Sequence, residues 1–257
     1  MLYSKILKNF IKNSLLLILI IGCSSKNPIQ NYTKIPRYSK NYQLVDKSGT
    51  FFLHREAGNG KNKTFLLKSK VFNTDRTKVL EESVMVSKLG FYKNIMMARP
   101  IKSLYNVWFE SKKYQTKTDI IPSKKLLNLK LKSPEEQWNG KKEIKLINTN
   151  LTYCYFSEVI DCAFISGFIK KAIELENGSM NLVVVWEGFP YIQEQYLNLP
   201  KKILTKSVLS YDGKNKTGEY RFSLDLGSQK ILYFVDIKKG TFNKLFWVSQ
   251  GLTIIEI

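Results

Sequence analysis

The sequence predicts a mainly β fold, a β-rich α+β protein in which a single antiparallel sheet is either open or rolled into an unclosed half β-barrel. Two observations predict this fold. Short runs of alternating apolar and polar residues recur between turns that contain glycine, asparagine or aspartate. In residues 220–226, for example, apolar residues alternate with Arg221, Ser223 and Asp225, as in a strand with one buried face. One further stretch has the spacing of a helix, so we expect one or two helices.

The N-terminal half contains seven predicted strands. They are residues 42–45, 50–54, 63–72, 84–89, 104–109, 125–131 and 143–147. Residues 46–49 and 57–60 are rich in Gly, Asn, Asp and Ser and predict turns, and Gly90 and Gly140 are expected to interrupt the strands.

Residues 163–175 predict a helix, because Ile165, Phe168 and Ala172 follow helical spacing and Asn177-Gly178 then provides a stop signal. A strand is the alternative for this stretch. Residues 187–198 predict a second, short helix. The rest of the chain predicts a meander of strands at 181–186, 203–211, 218–226, 231–237, 244–249 and 252–257, with turns at 212–213, 227–228, 239–240 and 250–251.

The first 22 residues have the three parts of a bacterial export signal. Lysines make the start basic, and the apolar run 15–21 is shorter than the about 20 residues that cross a membrane. The junction Ile20-Ile21-Gly22-Cys23 resembles the bacterial lipobox, in which a small residue precedes an obligatory cysteine. The resemblance implies cleavage before Cys23, a lipid on its sulfur and acylation of its amino group. The alternative is a plain secretory signal with an incidental cysteine.

The predicted organisation is therefore a signal peptide (1–22), a lipidated tether (23–41) and one β-rich periplasmic domain (42–257). The tether is polar and contains two prolines. Ser24 replaces the aspartate that holds lipoproteins of enteric bacteria on the inner membrane. The resemblance thus implies the outer membrane, with the protein at its periplasmic face or at the cell surface.

The chain is strongly basic, with a formal charge of +20, or +17 without the three lysines of the signal (20 − 3). The lysines are spread along the whole chain, and export would keep the protein away from the chromosome. We therefore predict no nucleic-acid partner. The lysines either lie solvated on the polar faces of strands or attract anionic lipid headgroups.

The sequence contains no recognisable catalytic set. His54 is the only histidine, so a Ser-His-Asp or zinc site would have to depend on it. The acidic pairs at 81–82 and 135–136 consist of adjacent residues, which point to opposite faces of a strand. Residues 58–61 match only part of a phosphate-binding loop. We therefore predict a protein that is not an enzyme and has no cofactor or metal; a hydrolase with an unrecognised site is the third-ranked alternative.

Cys154 and Cys162 predict a disulfide, because exported proteins meet an oxidising environment. Their even separation would place them opposite each other in a hairpin centred near Glu158. Closing so short a loop contributes about 2.5 kcal/mol in the chain-entropy model. The alternative is a pair of unlinked buried cysteines.

The lipid anchor, the size, the β-rich pattern and the closing meander 220–257 resemble the Lol-type lipoprotein carriers and receptors of the Gram-negative envelope. The resemblance implies an unclosed β-barrel with helices inside it and an apolar cavity for acyl chains. No diagnostic motif matches, so no ligand-binding residues are transferred. The leading hypothesis is an envelope protein that binds lipid, lipoprotein or another apolar ligand. The second is an adaptor that docks on an outer-membrane protein complex.

Overall fold

The computed structural model describes residues 33–136, 139–147 and 151–257, so the signal peptide and Cys23 lie outside the described residues. The strands in this part of the chain are β1 (Tyr38–Asp46), β2 (Gly49–Gly60), β3 (Thr64–Phe72), β4 (Val79–Tyr92), β5 (Ile95–Phe109), β6 (Lys112–Ile121), β7 (Leu126–Lys132), β8 (Gly140–Lys145), β9 (Thr152–Tyr155), β10 (Ser179–Val185), β11 (Leu204–Lys214), β12 (Tyr220–Asp225), β13 (Lys230–Asp236), β14 (Thr241–Trp247) and β15 (Leu252–Glu256). The helices described are α1 (Val159–Ile165), α2 (Phe168–Glu174) and α3 (Tyr191–Gln195).

All of these strands belong to one sheet, in the order β8-β7-β6-β5-β4-β3-β2-β1-β15-β14-β13-β12-β11-β10-β9. The prediction of a mainly β fold with one unclosed sheet is confirmed. The sheet is mixed, however, because β9 and β10 pair in parallel, with Thr152 opposite Leu182. Helices α1 and α2 connect these two strands and bring the chain back in the same direction, as a parallel pair requires.

The sheet rolls around a packed interior. Edge strand β9 lies beside β5, but the two edges β8 and β9 do not pair with each other. Helix α1 is inside the roll, and all seven of its residues are buried. Trp186, Trp247 and Tyr155 fill much of the remaining space and are less than 2% exposed. Large apolar side chains on all sides of a short helix favour such a buried position.

The predicted helix 163–175 is two helices in the structure. Gly167 lies between α1 and α2 with a φ of 77°, a left-handed conformation that ends the first helix. The first helix also begins earlier than predicted, at Val159. Helix α3 lies within the predicted helical stretch 187–198.

The disulfide between Cys154 and Cys162 is confirmed, with Cα atoms 6.5 Å apart. The predicted hairpin around Glu158 is wrong, because Cys154 lies in β9 and Cys162 lies in α1. The bond therefore joins a strand at the sheet edge to the helix inside the roll.

Three predicted strand ends do not occur, because backbone pairing continues through turn-forming residues. Residues 57–60 were expected to form a turn, but they pair with β3 as far as Gly60 and Thr64, and the turn follows at 61–63. Residues 212–213 likewise lie within β11, where the pairing with β12 is irregular. Gly90 does not interrupt β4, where it pairs with Met97.

Strand β6 was not predicted, although its residues alternate. Thr116 and Thr118 are 0% and 1% exposed and occupy inward positions where an apolar pattern would place aliphatic residues. In addition, the last four residues of the predicted tether, 38–41, lie in β1, where Tyr38 pairs with Ala57. The described domain thus begins earlier than position 42.

Candidate ligand-binding pocket

The rolled sheet has two ends, which differ in the turns they contain and in whether the chain enters the domain there. At the tether end, where the chain enters the domain, the backbone N–H of Lys34 donates to Phe164 O (3.2 Å) and Lys34 Nζ donates to Ile237 O (3.1 Å). The turns of this end include 61–63, 93–94 and 122–125. The opposite, far end includes the turns 47–48, 73–78 and 110–111.

An apolar pocket of about 360 Å³ opens at the tether end. It lies between the β4–β5 hairpin, the first residues of β9 and β10, and the junction of α1 with α2. Its apolar lining includes Ile95, Met97, Phe168 and Met180. The volume falls in the lower part of the range of about 300–1,000 Å³ that small-molecule sites occupy.

The β4–β5 hairpin forms one wall of this pocket. Tyr92 pairs with Ile95, and the two residues between them, Lys93 and Asn94, have φ values of 47° and 65°. Two left-handed residues in a two-residue loop match the twist of paired strands, and asparagine tolerates this conformation well. The tight turn places Lys93 beside the pocket, with its ammonium 5.7 Å from the centre of the Tyr92 ring.

Helix α2 forms the opposite wall. Phe168 and Lys171 are three residues apart and both line the pocket. Residues at this spacing share one face of a helix. Ile169 and Ala172, on the other face, are buried in the core and hold the helix in place.

The pocket combines an apolar lining with a positive charge. Among the described residues that line it, the charged side chains are Lys93 and Lys171, and both are exposed to solvent. The remaining polar contribution comes from small groups such as Ser166, Ser179 and Thr152. Such a site can bury a hydrocarbon chain and pair with a negative group at its mouth.

A second group of polar residues, which the sequence did not predict, lies inside the roll. Arg55 Nη2 donates to Asp161 Oδ2 (3.1 Å) and to Ser157 O (2.7 Å). Tyr38 OH also donates to Asp161 (3.0 Å), and Ser87 Oγ donates to Glu158 (2.7 Å). These contacts join β1, β2 and β4 to the start of α1.

Burial dominates the chemistry of these acids. It raises the pKa of Glu158 to about 8 and the pKa of Asp161 to about 6, against the lowering effects of Ser87 and Arg55. Burial also raises the pKa of Glu187, although that carboxylate accepts hydrogen bonds from the backbone N–H groups of 156 and 157. Perturbed acids often mark active sites. These three are at most 1% exposed and do not line the apolar pocket, and their hydrogen bonds connect the sheet to the segment that leads into α1.

The sequence-derived candidates are scattered in the structure. His54 Nδ1 lies 2.8 Å from Asn41 Oδ1, away from the buried acids. Glu81 accepts a hydrogen bond from Tyr105 OH (3.0 Å) and Glu82 accepts one from Asn106 Nδ2 (2.8 Å), so the two acids occupy opposite faces of β4.

The remaining candidates also stand apart from the pocket. Tyr114 OH donates to Glu135 (2.7 Å) in the pair 135–136, and residues 58–61 belong to β2 and the turn that follows it. Within the described residues, His, Cys, Asp and Glu side chains form no group of three or more that could hold a metal ion.

The far end has a pocket of its own, of about 330 Å³, lined by Phe51, Trp108 and Glu81 among others. Exposed Leu197 follows the lining residue Tyr196 in the chain, and exposed Val248 lies two positions before the lining residue Gln250. Leu197 and Val248 are 64% and 75% exposed there. Large contiguous apolar patches mark surfaces that meet another molecule, whereas single exposed aliphatic residues are common on any protein.

Comparison with known proteins finds similarity among solved structures. No family model matches the chain, and no curated protein matches it. Among solved structures, the chain is similar to a beta-barrel-like protein of the domain of unknown function DUF1849 from Brucella abortus. That similarity has a TM-score of 0.47 and 6% sequence identity, and it covers 86% of this chain and 97% of the other. Of the helices that the structure describes, none has the length and hydropathy needed to span a membrane.

Proposed function

We propose that this protein is a lipid-anchored component of the bacterial cell envelope that acts by binding and catalyses no reaction. Its ligand is an acyl chain of a lipid or lipoprotein, and the chain occupies the apolar pocket. The observation that supports this proposal is the lining itself, in which Met97, Phe168 and Met180 surround a space open to solvent between two lysines.

The size of the pocket limits what it can take. The middle of the roll is filled by α1 and by buried Trp186 and Trp247, so a hollow barrel that encloses a whole lipid is absent from the described part of the chain. A pocket of about 360 Å³ suits one short chain or the end of a longer one. Burial of about six methylene groups would contribute about 5 kcal/mol, which is of the same order as the cost of association, so useful affinity also requires the charge at the pocket mouth.

The two lysines at the pocket mouth would determine the orientation of a charged ligand. Lys93 and Lys171 are the charged side chains of the described lining, and each lies on a different wall. A carboxylate or phosphate at the pocket mouth would therefore meet positive charge from both sides, while the hydrocarbon enters between Ile95 and Phe168. An anionic amphiphile satisfies both parts of the site.

A fluorescent fatty-acid probe tests the pocket. The soluble chain from Ser24 should bind it saturably, and Ile95→Trp should weaken binding about tenfold or more because an indole occupies the space. Leu197→Trp, which adds the same side chain at the far end, is the matched control and should retain wild-type affinity. Equal affinities for the two variants would exclude this pocket as the site.

A second comparison separates charge from apolar burial. Lys93→Glu/Lys171→Glu should weaken binding of the fatty-acid probe but have much less effect on a fatty-alcohol probe of the same length. Binding of the alcohol should also change little between low and moderate salt, since burial of hydrocarbon is not screened. A loss of both probes would indicate that the lysines act by shaping the pocket.

The lipid anchor is part of the same proposal. Cleavage before Cys23 and acylation of that residue would attach the tether to the outer membrane. Mass spectrometry of membrane-extracted protein should show loss of residues 1–22 and the added acyl mass. Cys23→Ser should release the protein from membranes in high salt, and a variant that stays bound would contradict the anchor.

The exposed far-end surface favours a second candidate function, that of an adaptor. Leu197 and Val248 stand beside the far-end pocket and would be covered by an outer-membrane protein that docks there. A photo-crosslinking residue at Val248 should then give one discrete adduct in intact cells, whereas a crosslinker at exposed Glu56 in β2 should not. Identical adduct patterns would argue against this surface.

A further inference from the structure

We propose that the tether end docks on an anionic lipid bilayer, and that a basic groove there binds the phosphates of lipid headgroups. The groove is an open space of about 440 Å³ between the start of the described chain and the β13–β14 turn. Its basic side chains outnumber its one acid, Glu256, by five to one, so the lining has a formal charge of +4 (5 − 1). They are Lys34, Arg37, Lys40, Lys238 and Lys239.

Much of this charge is not neutralised within the protein. Lys40 and Lys239 share Glu256, with N···O distances of 2.6 and 2.7 Å, and Lys239 also forms an ion pair with Asp236 at 3.8 Å. Lys34 Nζ instead donates to the carbonyls of Ile237 and Lys238, which carry no formal charge.

The other two bases of the groove face solvent. Arg37 and Lys238 are exposed, and among the described residues no carboxylate forms an ion pair with either of them. Arg37 and Lys238 are therefore available to a ligand. Lys34 lies in the same groove, and its position is fixed by hydrogen bonds to backbone carbonyls. Phosphate oxygens are acceptors that suit both Lys and Arg.

In the turns that connect β1 to β7, positive charge is concentrated at the tether end. At the tether end, turns 61–63, 93–94 and 122–125 contain five lysines and no acid. At the far end, turns 47–48, 73–78 and 110–111 contain three bases and two acids. An anionic surface would therefore orient the molecule with the tether end towards it.

Two further features favour a bilayer as the source of the phosphates. Phe91 is 59% exposed next to the tip of the β4–β5 hairpin, where an aromatic ring can enter the headgroup region between basic neighbours. The chain also enters the domain at this end. Residue 33 lies ten positions after Cys23, a reach of at most about 35 Å when extended. This last step rests on the proposed lipid anchor, whereas the charge of the groove does not.

Vesicle binding by a chain without its lipid tests the inference. All described elements lie in residues 33–257, so the chain from Ser24 keeps the whole fold. It should bind phosphatidylcholine vesicles that contain 30% phosphatidylglycerol at least about tenfold more tightly than pure phosphatidylcholine, and binding should weaken as salt rises. Equal binding to the two vesicle types would overturn the proposal.

Charge reversal identifies the surface. Arg37→Glu/Lys238→Glu should lower affinity for the anionic vesicles at least about tenfold, because both side chains would then repel the headgroups. The matched control, Lys47→Glu/Lys78→Glu, makes the same change in net charge at the far end and should cost less than about threefold. Equal losses would show that total charge, and not the groove, determines binding.

Two controls separate this inference from folding defects and from the acyl-chain proposal. Arg37→Gln/Lys238→Gln is a milder variant and should give an intermediate loss with an unchanged melting temperature. The groove variants should retain fatty-acid probe binding. Retained probe binding with no vesicle preference would reject docking alone, and vesicle preference without probe binding would reject the pocket alone.

Discussion

In the described part of the chain, three buried acids and the buried base Arg55 lie around the start of α1. Arg55 pairs with Asp161, while Glu158 contacts Ser87 and Glu187 receives hydrogen bonds from backbone N–H groups. Charged groups are costly to bury without partners, and one arginine balances one carboxylate. Because burial raises the pKa of Glu158 to about 8, this carboxyl is mostly protonated at neutral pH. Asp161 is then the acid that balances Arg55.

The raised pKa of Glu158 predicts that the free energy of unfolding falls as pH rises. The folded protein binds this proton more tightly than the unfolded chain, whose glutamate has a pKa of about 4.3. The advantage is complete below that value and is lost as pH approaches about 8. Between pH 5 and pH 8 the loss should amount to a few kcal/mol, at about 1.4 kcal/mol per pKa unit.

Glu158→Gln should therefore flatten the pH dependence and stabilise the protein at pH 8. Urea unfolding at pH 5 and pH 8 measures both effects. Glu56→Gln removes an exposed carboxylate from β2 and controls for the change in net charge. If Glu158→Gln and wild type lose the same free energy between the two pH values, Glu158 is not the group that titrates.

Part of this buried acid cluster could have been predicted from the sequence. In residues 159–165, Asp161 is the single charged residue among apolar ones, and an acid inside such a run needs a buried partner. The identity of that partner could not be inferred, because Arg55 lies more than 100 positions away and meets Asp161 only through the rolling of the sheet. The pocket lysines Lys93 and Lys171 are also brought together by tertiary structure alone.

The disulfide links edge strand β9 to helix α1. The sequence separation of Cys154 and Cys162 is 8, and closing this loop should stabilise the fold by about 2.5 kcal/mol. Cys154→Ala/Cys162→Ala should lower the free energy of unfolding by about that amount or more, since both side chains are buried. Urea unfolding with and without reductant measures the effect. Reductant should destabilise wild type and leave the double variant unchanged.

The break between α1 and α2 gives a prediction about the apolar pocket. Gly167 has a φ of 77°, and an alanine there would cost about 1–2 kcal/mol. Because the next residue, Phe168, lines the pocket, Gly167→Ala should also weaken fatty-acid probe binding. Gly58→Ala is the control, since a Cβ at Gly58 meets nothing within 4 Å. Unchanged stability and probe affinity in Gly167→Ala would contradict this account.

Elements with aliphatic inward faces were predictable, and those with polar inward faces were not. Strand β6 was not predicted because its buried positions are occupied by threonines, whose hydroxyl groups form hydrogen bonds in the interior. Thr116 Oγ1 donates to Phe189 O (2.8 Å), and Thr118 Oγ1 lies 3.1 Å from Tyr155 OH. Buried hydroxyl groups with partners are acceptable in a core, but their pattern resembles that of an exposed strand.

At the scale of the whole molecule, local patterns indicated one unclosed sheet, and this prediction is correct. The parallel β9–β10 pair and the position of β9 beside β5 could not be inferred, because both depend on contacts between distant segments. Periodicity reports which face of a strand is buried and contains no information on which strand is its neighbour. The packed interior could not be inferred for the same reason. It depends on α1, which lies in the connection between β9 and β10 and folds into the roll.

The rolled architecture predicts an uneven distribution of stability. Strand β10 is flanked by β9 and β11 and has Val183, Val184 and Val185 fully buried. Strand β8 is a sheet edge that pairs with β7 alone, and most of its residues are exposed. Strands with few buried contacts open locally at low free energy, whereas core strands open only with global unfolding.

Native-state hydrogen exchange should therefore find the fastest strand amides in β8 and the slowest in β10 and its neighbours. Sub-denaturing urea should leave exchange in β8 almost unchanged, because local opening exposes little new surface, and should accelerate exchange in β10. Deletion of residues 139–147 should accordingly cost much less free energy of unfolding than Val184→Ala, a cavity-forming change that costs about 2 kcal/mol or more. If β8 and β10 exchange together at all urea concentrations, the sheet unfolds as one cooperative unit, and β8 contributes to it as fully as the strands around α1.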